Sequence, residues 1–347
     1  MNIISNSYRS GPKLAPGANY PSVEIARVQQ ILSGCALARE TPLAHANGLA
    51  PVADFWVKDE RTRMGLGSFK ALGAAYVIAR EAYAISKTEK SGVLKDRVFV
   101  TASAGNHGLS VAFGAKIYGA KAVVYLADTV PESFAARLAE LGADVIRAGS
   151  DYQASMDAAM AAAEENDWTL LSDTSWAGYR KIPTTLMEGY LQMAHEAGEQ
   201  CAGAPSHIFL QAGVGGLACA AAAYARLIWG DEPVIAVVEP ENAPALQASI
   251  AAGKCVFADG PESVMGRLDC KEPSLVALNG LARDADYFVT LSDKTVEDCL
   301  PTFAAVGLAT TSSGGAGMAA VMQADVRSAL NIGKDARVLT YLSEKPA

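Results

Sequence analysis

From Arg97 onward, short apolar runs alternate with longer stretches of helical periodicity, and this alternation predicts most of the chain's elements. A strand over 98–102 precedes a helix over 108–118, and a strand over 122–126 precedes a helix ending near Leu141. Thr129-Val130-Pro131-Glu132 reads as a capping box with proline in the first turn, and Gly142 stops that helix. A strand over 144–147 follows, then an alanine-rich helix to Asn166 capped by Ser150-Asp151, then a strand over 168–171. After a loop and a helix over 184–198 the alternation resumes, with strands at 207–211, 234–238, 287–291 and 337–341. Helices are predicted at 217–228, 243–252, 274–283, 294–305 and 315–330.

Upstream of Arg97 the pattern is less regular. Residues 1–20 are polar and rich in glycine and proline, and read as a tail lying over the surface. Thr41-Pro42-Leu43 leads to a strand over 54–58 and then to a helix with Lys70 at its mouth. Residues 85–96 carry most of the local charge and read as a linker or exposed loop. Short strands alternating with helices predict parallel sheets covered on both faces. The series divides near residue 183 into two α/β units, which predicts two lobes with a cleft between them.

At 347 residues, half of them apolar and 19% charged, the chain can bury a large core. A net charge of −8 without any lysine or arginine run argues against nucleic-acid and anionic-membrane partners. No apolar run approaches the roughly 18 residues of a spanning helix, and Met1 to Tyr20 lacks a secretory apolar core. The six cysteines are scattered without a C-x-x-C pair, which predicts free thiols in a cytoplasmic protein. The four histidines lie far apart, so no metal site is expected.

Lys70 changes that bland picture. No other charge stands between Arg63 and Arg80, and the run Met64-Gly65-Leu66-Gly67 breaks the chain just before it. Such surroundings desolvate an ammonium and lower its pKa, giving a nucleophile that forms Schiff bases. A structural lysine with a buried stem remains the alternative.

Two loops bear on the choice. Ala102-Ser103-Ala104-Gly105-Asn106-His107-Gly108 joins a strand to a helix, where amides and the Ser103 and Asn106 side chains can receive an anionic oxygen. The same residues also suit an ordinary βα turn. Gln211-Ala212-Gly213-Val214-Gly215-Gly216-Leu217 opens a second helix and makes a phosphate cradle of backbone N–H groups. It equally fits G-x-G-x-x-A through Gly213, Gly215 and Ala218, with Glu239 closing the next strand, as in a dinucleotide-binding dehydrogenase.

Taken together and in this order, the three segments resemble the fold type II pyridoxal-phosphate enzymes, which include serine/threonine dehydratases, cysteine synthases and the tryptophan synthase β-subunit. The likeness is greatest to the diaminopropionate ammonia-lyases. It extends over 41–343 and includes Val57-Lys58-Asp59-Glu60, the segment Ser172-Asp173-Thr174-Ser175-Trp176-Ala177-Gly178-Tyr179 with Lys181-Ile182-Pro183, and Val238-Glu239-Pro240. The resemblance implies a two-lobed α/β fold, each lobe a mostly parallel sheet under helices. Residues 1–70 with 184–347 would form a large cofactor-binding domain and 71–183 a small one.

The resemblance further implies that Lys70 bonds pyridoxal phosphate and shuttles the substrate's Cα proton. Asn106 would meet the phenolic oxygen, and Gly213, Val214, Gly215, Gly216 and Leu217 the phosphate. Ser103, Ala104, Gly105 and His107 would hold the substrate carboxylate. Ser343 would face the pyridine nitrogen, making the ring a weaker electron sink than one facing a carboxylate and favouring prompt β-elimination; otherwise it is a strand-end serine. Asp173 would be a further acid/base, or else would cap the next turn with Thr174. Trp176 and Tyr179 would line the substrate pocket or pack the lobe junction, and Lys58, Asp59 and Glu60 read as a structural charge cluster.

The expected reaction is ammonia-lyase chemistry on an L-amino acid with a β-amino or β-hydroxyl leaving group, by a homodimer. β-Replacement, an NAD-dependent dehydrogenase and a non-catalytic cofactor-binding relative are the alternatives. Two departures bear on the substrate. Ala104 stands where the diaminopropionate lyases carry an aspartate implicated in acting on D-isomers. Four residues follow Ser343 in place of an acidic, glycine-containing extension.

Overall fold

The computed structural model describes residues 1–88 and 91–346. In chain order the elements are β1 (Asn2–Ser5), α1 (Ile25–Leu32), β2 (Leu43–His45), β3 (Asp54–Asp59), α2 (Ala74–Ile85), β4 (Val98–Ala102), α3 (Asn106–Tyr118), β5 (Lys121–Leu126) and α4 (Glu132–Glu140). There follow β6 (Asp144–Arg147), α5 (Tyr152–Asn166), β7 (Thr169–Leu170), α6 (Lys181–Gln200), β8 (His207–Gln211), α7 (Gly216–Trp229), β9 (Val234–Pro240) and α8 (Ala245–Ala252). The last are α9 (Leu275–Asp284), β10 (Tyr287–Leu291), α10 (Asp293–Glu297), α11 (Leu300–Ala305), α12 (Ser312–Met322), α13 (Ala324–Ala329) and β11 (Arg337–Leu342). Of the predicted loop 85–96, positions 89 and 90 lie outside the described residues.

Two sheets organise these elements. One has seven strands in the order β1-β10-β9-β8-β11-β3-β2, and the other four in the order β6-β5-β4-β7. The four-stranded sheet is parallel throughout, while β1 and β2 add antiparallel edges to an otherwise parallel seven-stranded sheet. The α/β class with mostly parallel sheets under helices is therefore as expected. Strands β8 and β11 are buried almost throughout, as parallel strands under helices on both faces must be.

Several local expectations needed correction. The tail over 1–20 begins with β1, whose Ile3 pairs with Val289 of β10; two isoleucines were too short a signal for an edge strand. The capping box at 129–132 does not form: Pro131 is the N-cap of α4, and no side chain caps that end. The helix expected over 294–305 is two, because Pro301 in the first turn of α11 has no N–H to continue α10. The helix expected over 315–330 breaks at Gln323, where Arg327 donates to the last carbonyls of α12, those of Val321 and Met322. Asp151 alone caps α5, accepting from the Ala154 N–H.

The charges at Lys58 and Glu60 lie inside, as a structural cluster would. Lys58 Nζ contacts Glu196 at 2.7 Å, and Arg63 binds both Glu60 and Glu196 at 2.7 and 2.6 Å. Thr41 donates to Glu60, so every carboxylate here is matched. Buried ions tolerate this only when paired and hydrogen-bonded. The network ties α6 to the segment leading into Lys70. Asp59 takes a separate role and holds Arg61.

Candidate active site

Lys70 lies in a short 3-10 turn, Phe69–Leu72, between β3 and α2, and the Ser68 hydroxyl caps that turn by accepting the Lys70 N–H. The end of β11 laces to the same turn: Phe69 N–H donates to the Ser343 carbonyl, and Lys345 N–H to that of Gly67. Lysine and C-terminal strand are thus set side by side by backbone bonds.

The Lys70 Nζ makes a close ion pair with Asp173 Oδ2, the two side chains being 24% and 20% exposed. Here the sequence expectation is overturned. Burial does pull the ammonium down, but the Asp173 carboxylate outweighs it, and Lys70 is held above its ordinary range. Burial likewise pushes Asp173 up, yet the Lys70 charge wins and holds it well below the usual carboxylate range. The capping role for Asp173 is excluded, because Thr174 N–H donates to Ser172 Oγ instead.

The asparagine loop stands at the start of α3. Ser103 Oγ accepts from the Gly105 and Gly108 N–H groups, leaving its own proton free to donate. The N–H groups of Ala104, Asn106 and His107 have no partners among the described residues and can receive an anion. Asn106 Nδ2 donates to Glu344 Oε2 at 2.7 Å. His107 is engaged with the backbone: its buried ring bonds the Leu171 carbonyl through Nε2, and burial lowers its pKa, so it is neutral. A side-chain role for His107 toward substrate is therefore not supported. Ala104 instead lines an open groove of about 410 Å³ with Thr129, Ser133, Phe134 and Arg137.

The glycine loop turns into α7 with Gly215 at φ +98°, a left-handed conformation that favours glycine. The N–H groups of Gly213, Gly215, Gly216 and Leu217 have no partner among the described residues, whereas Val214 is engaged through its N–H at Cys270 and its carbonyl at Ser274. A Cβ on Gly213 would stand 3.0 Å from Cys270 Sγ, so the loop is closely backed. Four unpartnered amides at the start of a helix fit a phosphate, and the Lys70 amine fits an aldehyde; the residues present suit pyridoxal phosphate. Glu239, the acid of the dinucleotide alternative, is wholly buried and accepts the Leu246 and Gln247 N–H groups, which removes it from any ribose.

Three groups were not singled out in the sequence. Glu344 is buried and accepts from Asn106, Arg267 and Thr311, joining both sequence units beside Ser343. Tyr152, first residue of α5, is largely exposed, yet its phenol lies close enough to the ion pair to feel the Asp173 and Lys70 charges. Cys270, whose thiol burial pushes up to about 12, lies against the glycine loop. Nothing local marks any of them; an acid near a chain end, an aromatic after a helix cap and a lone cysteine are commonplace. Trp176 and Tyr179 stack at 4.3 Å, and Tyr179 Oη bridges Ser172 N–H and the Leu170 carbonyl, so that pair packs the segment carrying Asp173.

Among the described residues no helix is long and apolar enough to cross a membrane, and no group of three or more His, Cys, Asp or Glu could hold a metal ion. The family described as pyridoxal-phosphate dependent enzyme matches residues 36–344. Diaminopropionate ammonia-lyase of Escherichia coli K12 is 32% identical over 310 residues, covering 84% of this chain and 77% of that protein. L-serine dehydratase/L-threonine deaminase of Homo sapiens is 28% identical over 280 residues, covering 79% of each. The crystal structure of the Escherichia coli diaminopropionate ammonia lyase with an aminoacrylate-PLP azomethine reaction intermediate superposes with a TM-score of 0.85 at 28% identity, over 99% of this chain and 93% of that one.

Proposed function

This chain belongs to the pyridoxal-phosphate dependent enzymes, and on that premise we propose that it eliminates a β-amino or β-hydroxyl group from an L-amino acid, releasing a 2-oxo acid and ammonia. The observation that carries this reading is the Lys70–Asp173 ion pair beside a helix start with four unpartnered amides. When bound, pyridoxal phosphate supplies a sink for the electron pair left as the substrate's Cα–H bond breaks.

The protein's own groups do the rest. Lys70 Nζ would hold the cofactor through its aldehyde, and the same nitrogen as a free amine would take the Cα proton. Asp173 Oδ2 sets the protonation of that amine and would relay the proton Lys70 takes from Cα to the departing β-group, which must leave protonated. The amides of Gly213, Gly215, Gly216 and Leu217 receive the phosphate, and Asn106 Nδ2 the phenolic oxygen. The Ser103 hydroxyl and the Ala104, Asn106 and His107 amides receive the substrate carboxylate, fixing which Cα bond is presented. Ser343 would offer the ring nitrogen a neutral hydroxyl. We further propose that 1–70 with 184–347 carry the cofactor and that 71–183 close on it, since the seven-stranded sheet draws only on the former and the four-stranded sheet only on the latter. A homodimer is proposed on the resemblance alone.

The test is 2-oxo-acid release from L-2,3-diaminopropionate, L-serine, L-threonine and their D-isomers. Release from at least one L-substrate is expected. A protein that binds the cofactor yet releases no oxo acid from any of them sinks the proposal, and incorporation of an added thiol would point to β-replacement.

A further inference from the structure

Tyr190, on α6, is 1% exposed, and its hydroxyl donates to no acceptor among the described residues. Its ring packs on Phe69 with centroids 4.8 Å apart, and Lys70 Nζ lies 5.4 Å from the same Phe69 centroid. A Cβ on Gly73 would stand 2.7 Å from Tyr190 Oη, and one on Gly216 would stand 3.5 Å from Tyr190 Cε2. The phenol therefore fills the space between the turn that carries Lys70 and the first residue of α7. Side chains at those two positions would displace it.

Burial holds this phenol above its usual range, so it keeps its proton and carries one O–H donor. Its charged neighbour Lys70, an ammonium paired with Asp173, can donate to the phenol oxygen but has no lone pair to accept the phenol's proton. Buried donors are almost always paired, so a donor without an acceptor in the protein points to an acceptor that a ligand brings. The N–H groups of Gly216 and Leu217, at the helix start the ring packs against, also lack partners and suit an anion. We propose that Tyr190 donates its hydroxyl hydrogen bond to the phosphate of pyridoxal phosphate, adding a phenol from α6 to the seat made by the glycine-loop amides. Pyridoxal phosphate binding at the glycine loop is the reading on which this rests.

Tyr190→Phe keeps the ring that Phe69 and Gly216 pack against and removes only the hydroxyl. Apoprotein is titrated with pyridoxal phosphate and, separately, with pyridoxal, which shares the ring and aldehyde but has no phosphate. A hydrogen bond to a charged oxygen predicts about tenfold or greater loss of pyridoxal-phosphate affinity, with pyridoxal affinity unchanged. Gly73→Ala, whose Cβ would push the hydroxyl aside while leaving the tyrosine, should give the same selective loss. Equal losses for both ligands, or no loss for pyridoxal phosphate, would overturn the proposal. A wild-type protein that takes up no pyridoxal phosphate would instead overturn the reading beneath it, and this inference with it.

Discussion

Replacing Asp173 with asparagine should make Lys70 capture pyridoxal phosphate faster while turnover falls. The carboxylate is what holds Lys70 as an ammonium against the pull of burial. A hydrogen bond to a charged partner contributes about 1.5–3 kcal/mol, and about 1.4 kcal/mol is one unit of pKa. Removing the charge should therefore lower the Lys70 pKa by about one to two units. Only the neutral amine attacks the aldehyde, so below the pKa the capture rate rises about tenfold for each unit the pKa drops. At fixed neutral pH the variant should capture the cofactor roughly ten- to a hundredfold faster. Turnover should fall by about a hundredfold or more, because the carboxylate that relays the proton from Lys70 to the leaving group is gone. The assay is the stopped-flow growth of the visible absorbance band against pH, run beside the oxo-acid assay. A capture profile that does not move toward acid refutes the electrostatic coupling of Lys70 and Asp173.

The other predictions follow from the buried charges and the glycine loop. Glu196 has its carboxyl held at about 2 instead of 4.5: burial opposes ionisation, but the bonds to Arg63 and Lys58 win. Its folded pKa is depressed, so its contribution is present above about pH 4.5 and is lost as pH falls toward 2, about 3 kcal/mol in all. Glu196→Gln should cost about 3–5 kcal/mol at pH 7 in urea unfolding and flatten the acid end of the stability profile; an unchanged acid limb would contradict it. Gly215→Ala adds a Cβ 3.0 Å from that of Ala277 at φ +98° and should cost about 1–2 kcal/mol, with weaker cofactor uptake measured by absorbance titration. Uptake as strong as in wild type would remove the loop from the phosphate site.

Much of this arrangement was legible in the sequence because its signals are local. Strands at 98–102, 207–211 and 287–291 stand where the apolar runs put them, and the glycine loop ends at a helix start as its spacing requires. The asparagine loop and Lys70 were visible as residue types in unusual surroundings. What escaped was pairing across the chain. Lys70 looked like an isolated amine of lowered pKa because its counter-ion stands 103 residues away in sequence. Glu344 and Tyr190 gain meaning only from neighbours on other elements, Asn106 and Arg267 for one, Gly73 and Gly216 for the other. The failed cap at Thr129 is a milder case, in which Pro131 took the N-cap position itself.

The central claim is the identity of the amine that holds the cofactor, Lys70. Purified protein supplied with pyridoxal phosphate is reduced with borohydride, digested and mapped by mass spectrometry, with Lys70→Ala treated alongside. A yellow wild-type protein whose pyridoxyl label sits on Lys70, and a Lys70→Ala protein without label or turnover, is the predicted result. A label on another lysine, or a Lys70→Ala protein that still turns over substrate, would contradict it.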